Sequence, residues 1–194
     1  MKTTQPRTSK FGVIDEHIRD SGLPADFWDW TWDGMTAGPH VEFARRWAGG
    51  DERGLLLEGP VGVGKTGVAA VAAVAFMRQR RLRWVHVPTV QLALGASFGG
   101  RVRERAVETL LGTKALVLDD LDKIRPRDET IAQALLMAID QRITAGTSLL
   151  VTTNQDLPAL MDLFGSPWGE PIASRLAGYC QRLVIDGPDR RMPS

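Results

Sequence analysis

Gly59-Pro60-Val61-Gly62-Val63-Gly64-Lys65-Thr66 satisfies every fixed position of the pattern G-x-x-x-x-G-K-[ST]. Before it, Gly54-Leu55-Leu56-Leu57-Glu58 reads as a short buried strand, and after it Gly67 to Met77 is a small-residue apolar run of helix length. Strand, glycine loop and helix are the setting in which this pattern holds phosphate. Glycines let backbone N–H groups converge on phosphate oxygens, and the helix N-terminus adds partial positive charge. Gly59, Pro60, Gly62, Val63, Gly64, Lys65, Thr66 and Gly67 are the expected nucleotide-binding set. Lys65 is expected on the β- and γ-phosphates and Thr66 on Mg²⁺, so the ligand implied is a nucleoside triphosphate.

The rest of the composition narrows the class. A chain of 194 residues, 43% hydrophobic and 24% charged, suits one globular domain. No apolar run approaches the roughly 18 residues of a membrane span, so no membrane partner is expected. The first ten residues carry positive charge with no apolar segment behind them, unlike a secretory signal. The single cysteine, Cys180, excludes an internal disulfide and fits a reducing compartment. His17, His40 and His86 show no metal-ligand spacing. A cytoplasmic protein is expected. Net charge is only +1, so any nucleic-acid contact must come from local patches. Arg78, Arg80, Arg81 and Arg83 form one cluster, readable as a solvated helix end.

Residues 1–26 read as a flexible leading segment, with a short helix from Phe11 to Arg19 and a candidate docking role. The domain proper is expected over 27–194. Trp28, Trp30 and Trp32 alternate, which predicts an extended segment that packs on the core or lines a purine pocket. Arg101 to Leu111 predicts a helix with Val102, Ala106 and Leu110 as its inner stripe. Arg101 and Arg105 then share an outer face and can bracket a DNA phosphate.

Lys114-Ala115-Leu116-Val117-Leu118-Asp119-Asp120-Leu121-Asp122 predicts a buried strand with carboxylates at its C-terminal end, where open parallel sheets bind ligands. Asp119 is expected to hold Mg²⁺ and Asp120 to polarise the attacking water. Ser148 to Asn154 is a further buried strand, with Asn154 placed to bond the γ-phosphate and the lytic water. Asp128 is expected to cap a helix reaching Ile143, and Arg182 to Ile185 forms the last strand.

The order GPVGVGKT, ALVLDDLD, LLVTTN resembles the AAA+ ATPases, as their Walker A, Walker B and sensor 1. Asp119-Asp120, Leu149 to Leu157 and Ile172-Ala173-Ser174-Arg175-Leu176 resemble more closely the DnaC/IstB branch, which holds replicative-helicase loaders and the ATP-binding subunits of IS21-type transposition. The resemblance implies an α/β fold: a three-layer αβα P-loop NTPase core, a five-stranded parallel sheet and no C-terminal helical lid. It gives Lys65, Asp119, Asp120 and Asn154 catalytic roles. Arg175 takes that of an arginine finger reaching a neighbouring subunit, which implies a homo-oligomer in the ATP-bound state. Arg190 or Arg191 matches a terminal nucleotide-contacting arginine.

Three functions follow for comparison. The leading expectation is an ATP-hydrolysing helicase loader, partnered by a replicative helicase and single-stranded DNA. The second is an ATP-binding subunit that assists a transposase on duplex DNA. The third, from another class, is a small-molecule P-loop kinase. No arginine-rich lid segment is visible for a kinase, and the Asp119-Asp120 and Thr152-Thr153-Asn154 strand ends suit water as acceptor.

Overall fold

The computed structural model describes residues 12–95, 100–112 and 115–190. Five strands form one parallel sheet: β1 (Gly54–Glu58), β2 (Leu82–His86), β3 (Ala115–Asp119), β4 (Leu149–Thr153) and β5 (Gln181–Val184), in the order β2-β3-β4-β1-β5. Strand β1 lies between β4 and β5, with Leu56 opposite Val151 and Arg182. In β3 and β4 Leu118 faces Val151, so the Asp119 and Thr152 ends stand side by side. The expected five-stranded parallel α/β fold is the one observed.

The central strands are buried on both faces, which is why they read as unbroken apolar runs. Alternation nevertheless sorts their side chains. Leu55, Leu57, Val117 and Leu150 point into one core, shared with α1 (Gly12–Ser21), α2 (Pro39–Gly49) and α3 (Lys65–Met77). Leu56, Leu116, Leu118, Leu149 and Val151 point into the other. That second core is closed by α4 (Val87–Gly95), α5 (Gly100–Leu111), α6 (Glu129–Ala145), α7 (Leu157–Phe164) and α8 (Gly169–Tyr179). Three layers result. Helix α3 carries alanine and valine nearly all round because it is covered nearly all round, by the sheet on one side and α2 on the other.

Trp47 fastens α2. Its indole is fully buried, lies 5.2 Å from the Phe76 ring, and donates from Nε1 to the carbonyls of Arg53 (3.2 Å) and Leu149 (3.1 Å). Trp47→Ala removes that volume and leaves two carbonyls short of a donor. Urea denaturation is expected to show a loss of about 3–5 kcal/mol; a change in midpoint corresponding to less than about 1 kcal/mol would contradict this packing role.

Capping agrees with the sequence where polar residues stand at helix starts. The Asp128 carboxylate accepts from the N–H groups of Thr130 and Ile131 at the head of α6, and Asp156 accepts from Ala159 in α7. Cys180 ends α8 in a buried position that pushes its thiol up to about 12, which keeps it un-ionised and chemically quiet at neutral pH. No helix among the described residues is long and apolar enough to cross a membrane.

Several expectations need correction. Part of the leading segment, expected to be flexible, is the packed helix α1 and its following turn: Ile18 and Leu23 are buried in the core with Trp84. Residues 1–11, Lys114 and Arg191 lie outside the described residues. The alternating tryptophans do not form an extended strip. Short 3₁₀ turns at Ala25–Phe27 and Trp32–Gly34 interrupt the segment, so Trp28 and Trp32 pack partly on the core while Trp30 stays exposed. In α5, Ala106 and Leu110 are buried as expected but Val102 is exposed, because that helix meets the core only through its C-terminal half. The first arginine cluster is structural in two of its members. Arg80 stacks on Phe76, and Arg83 donates to the Asp20 carbonyl, tying β2 to α1.

Candidate nucleotide site at the carboxyl ends of the strands

Strand β1 runs into the glycine loop, and α3 starts at Lys65 with Gly64 as its N-cap at φ +103°. Gly62 has φ +85°, and a Cβ there would overlap the Asp189 carboxylate, which is folded against the loop. These left-handed turns aim successive N–H groups into one concavity. The Lys65 ammonium lies inside the loop, donating to the carbonyls of Gly59 and Pro60 (2.7 Å each) and to Asn154 Oδ1 (2.8 Å). Burial holds its pKa below the ordinary lysine value, while Asp122, Asp120 and Asp119 work against that fall. Three acceptors around one nitrogen match the three protons of an ammonium.

The second half of the site comes from β3 and β4. Asp119 is buried, and its Oδ1 accepts from Thr66 Oγ1 (3.1 Å) and Thr152 Oγ1 (2.7 Å). Burial pushes its carboxyl above the ordinary carboxylate range; the Thr152 bond opposes the rise, and the Asp120 charge adds to it. A divalent cation at Asp119 and Thr66 would favour the charged form. Mg²⁺ takes oxygen ligands, keeps several waters and shares phosphate oxygens, so it needs few protein groups. Thr66 and Asp119 suit that requirement, and among the described residues no cluster of three or more His, Cys, Asp or Glu forms a separate metal cage.

Asp120 has φ +58°, a left-handed conformation unusual outside glycine. Its N–H donates to Thr152 Oγ1 (3.0 Å), while its carboxylate meets Lys123 Nζ at 3.0 Å and His86 Nε2 at 3.5 Å. Lys65, Thr66, Asp120, Lys123 and Asn154 line a single cavity of about 530 Å³. Phe27, Trp30 and Met35 form its apolar wall, and the Trp30 ring lies where a Gly67 Cβ would touch it. A hydrogen-bonding, cationic end facing an aromatic end is the shape of a nucleotide pocket.

Residues 47–193 match the family of IstB-like ATP binding proteins. The chain belongs to that family. An insertion-sequence protein of Mycobacterium tuberculosis, described as ATP-binding, is 32% identical over 157 residues, covering 76% of this chain and 59% of the relative. The chain therefore spans a little under three fifths of that relative's length. Among solved structures, DnaI superposes with a TM-score of 0.72 at 21% identity, over 88% of this chain and 95% of the other. The DnaC helicase loader does so with a TM-score of 0.66 at 22% identity, over 84% and 100%. At those identities the likeness establishes the fold alone, a five-stranded parallel α/β domain of the P-loop type shared with DnaI and DnaC.

Within this IstB-like site, most of the residues expected from sequence meet. Lys65 reaches Asn154, and Thr66 reaches Asp119. Gly62, Gly64 and Gly67 line the cavity with them, while Gly59 and Pro60 hold Lys65 through their carbonyls. Val63 turns inward and is buried in the core below the loop. Arg190 lines the cavity beside Gly64, with its N–H donating to the Gly62 carbonyl (3.0 Å). Arg175 does not join them. It sits on α8, partly exposed, donating from Nε to Asp140 and from Nη1 to the Pro171 carbonyl (3.3 Å). Arg101 and Arg105 are exposed on α5, away from the loop.

Other participants carry no sequence signal. Thr152 holds both Asp119 and the Asp120 N–H. Asp122 holds Asn154. Buried Glu58, the residue before the loop, takes a two-pronged bond from Arg182 Nε (2.9 Å) and Nη2 (2.8 Å) on β5. His40 is held below its ordinary pKa, chiefly by burial and then by the Arg190 charge.

Proposed function

We propose that this protein is a Mg²⁺-dependent ATPase that assembles on DNA and loads a replicative helicase. The observation that carries the chemistry is that Lys65 and Thr66 line one cavity, Lys65 bonded to Asn154 on its wall and Thr66 bonded to Asp119 buried behind it. Lys65 and the loop N–H groups hold the β- and γ-phosphates, and Thr66 with Asp119 would hold Mg²⁺, which would supply charge to offset that of the phosphoryl group. Asp120 orients the attacking water, and Asn154 contacts the γ-phosphate. Trp30 and Phe27 receive the base by stacking. Arg175 completes the site of a neighbouring subunit, so ATP ties two subunits together and hydrolysis loosens them.

Single-stranded DNA is assigned to α5. Arg105 lines a groove with Trp84, His86 and Thr89, and Arg101 stands one turn before it on an exposed face. His86 also stands 3.5 Å from Asp120, so a strand in that groove touches the hydrolytic end of the nucleotide site. The insertion-sequence relative supports a second reading, in which the partner is a transposase and the DNA is duplex.

Fluorescence polarisation separates them. With ATP and Mg²⁺ present, labelled single strands are expected to bind more tightly than duplex of equal length, and Arg101→Ala/Arg105→Ala to weaken binding by about tenfold or more, with a shallower salt dependence. A preference for duplex would favour transposition. Equal binding by the double variant would remove α5 as the DNA contact.

A further inference from the structure

The loop after β3 does more than present Asp120. The left-handed turn at Asp120 reverses the chain, Leu121 N–H donates to the Thr152 carbonyl (3.0 Å), and Lys123 N–H donates to the Asp120 carbonyl (3.1 Å). The turn brings the Asp122 carboxylate across the end of β4. There its Oδ1 accepts the Asn154 backbone N–H and its Oδ2 accepts Asn154 Nδ2, both at 2.8 Å.

A carboxylate only accepts and an ammonium only donates. With Asp122 on one side of Asn154 and Lys65 Nζ on the other, the amide has one satisfied orientation: nitrogen toward Asp122, oxygen toward Lys65 at 2.8 Å. The same nitrogen keeps a second proton, and the oxygen a second lone pair, for nucleotide and water. We propose that Asp122 is a positioning residue for ATP hydrolysis, fixing the Asn154 amide through two hydrogen bonds so that it reads the γ-phosphate in one orientation. This rests on the reading of Asn154 as the γ-phosphate contact.

Asp122→Asn tests it at nearly constant shape. A carboxamide at 122 has one acceptor oxygen. If it keeps the Asn154 N–H, its own NH₂ faces Asn154 Nδ2, donor against donor. If Asn154 turns over to relieve that, its NH₂ faces the Lys65 ammonium. Either arrangement loses a part-buried bond. ATP turnover is expected to fall about tenfold or more, roughly the effect of one hydrogen bond. ADP affinity should stay close to that of the unmodified protein, so the preference for ATP over ADP shrinks. In combination with Asn154→Ala the losses should fall well short of additive, because the two hydrogen bonds of Asp122 go to Asn154 and its charge on Lys65 is a separate, smaller contribution to turnover.

Asn154→Ala alone separates the two levels. If it turns over ATP normally, the reading of Asn154 fails. If it is slow while Asp122→Asn is normal in rate and in ATP-over-ADP preference, only the role of Asp122 fails. Additive losses in the double variant, or loss of ADP binding in Asp122→Asn, would overturn the proposal too, since Asp122 would then support the whole loop.

Discussion

Lys65→Ala is expected to lower ATP turnover by about 10²- to 10³-fold, the usual effect of removing one charge-stabilising donor from a transition state. The environment of Lys65 explains the size. Its ammonium is the cation inside the glycine loop, and the carboxylates of Asp119, Asp120 and Asp122 all act on it. Without it a bound triphosphate would have, among the described residues, Lys123 and Arg190 as the cations along the cavity wall. ATP affinity should therefore fall together with turnover. Lys65→Arg should not rescue either, because a planar guanidinium cannot direct three protons to the Gly59, Pro60 and Asn154 oxygens. A melting curve shows whether the variant is folded. Turnover within a few-fold of the unmodified protein would place the chemistry elsewhere.

Arg175→Ala is expected to cost still more turnover, about 10³-fold or beyond, with ATP binding unchanged. Binding stays because Arg175 takes no part in its own chain's cavity. On the proposed role in trans, turnover falls because a neighbour's γ-phosphate loses the guanidinium that offsets its developing charge. The competing explanation is that Arg175 is a surface partner of Asp140, with both side chains partly exposed. Such a pair contributes about 0–1 kcal/mol to stability, and its loss would be copied by Asp140→Ala. The trans role predicts the opposite for Asp140→Ala: the guanidinium is released, and turnover is kept or raised. Equal losses in Arg175→Ala and Asp140→Ala would make the contact structural.

Much of this was legible before any coordinates. The strand, loop and helix from Gly54 to Met77 are local in sequence, and each residue type has a local reason to be there. Buried parallel strands announce themselves as apolar runs, so β1, β3 and β4 were readable, as was the cap Asp128. What escaped depends on register between distant strands. Nothing in the sequence says that Thr152 will stand beside Asp119, or that a left-handed turn at Asp120 will carry Asp122 to Asn154. The tryptophans misled for a related reason. Alternation implies an extended chain only where nothing breaks it, and here Pro24 and Gly34 border short turns. Val102 has the right spacing for a buried stripe, but the helix lifts away from the core at that end.

The most direct test of a nucleotide site shared between subunits mixes two inactive proteins. Lys65→Ala chains keep Arg175 but lack a working loop, whereas Arg175→Ala chains keep the loop but lack the finger. On the proposed role in trans, one complete site would form where an Arg175→Ala loop meets the Arg175 of a Lys65→Ala neighbour. ATP turnover in the mixture is predicted to rise well above that of either variant alone and to depend on their ratio. Turnover that never exceeds the sum of the two, at any ratio or total concentration, would contradict a finger supplied by a neighbouring subunit.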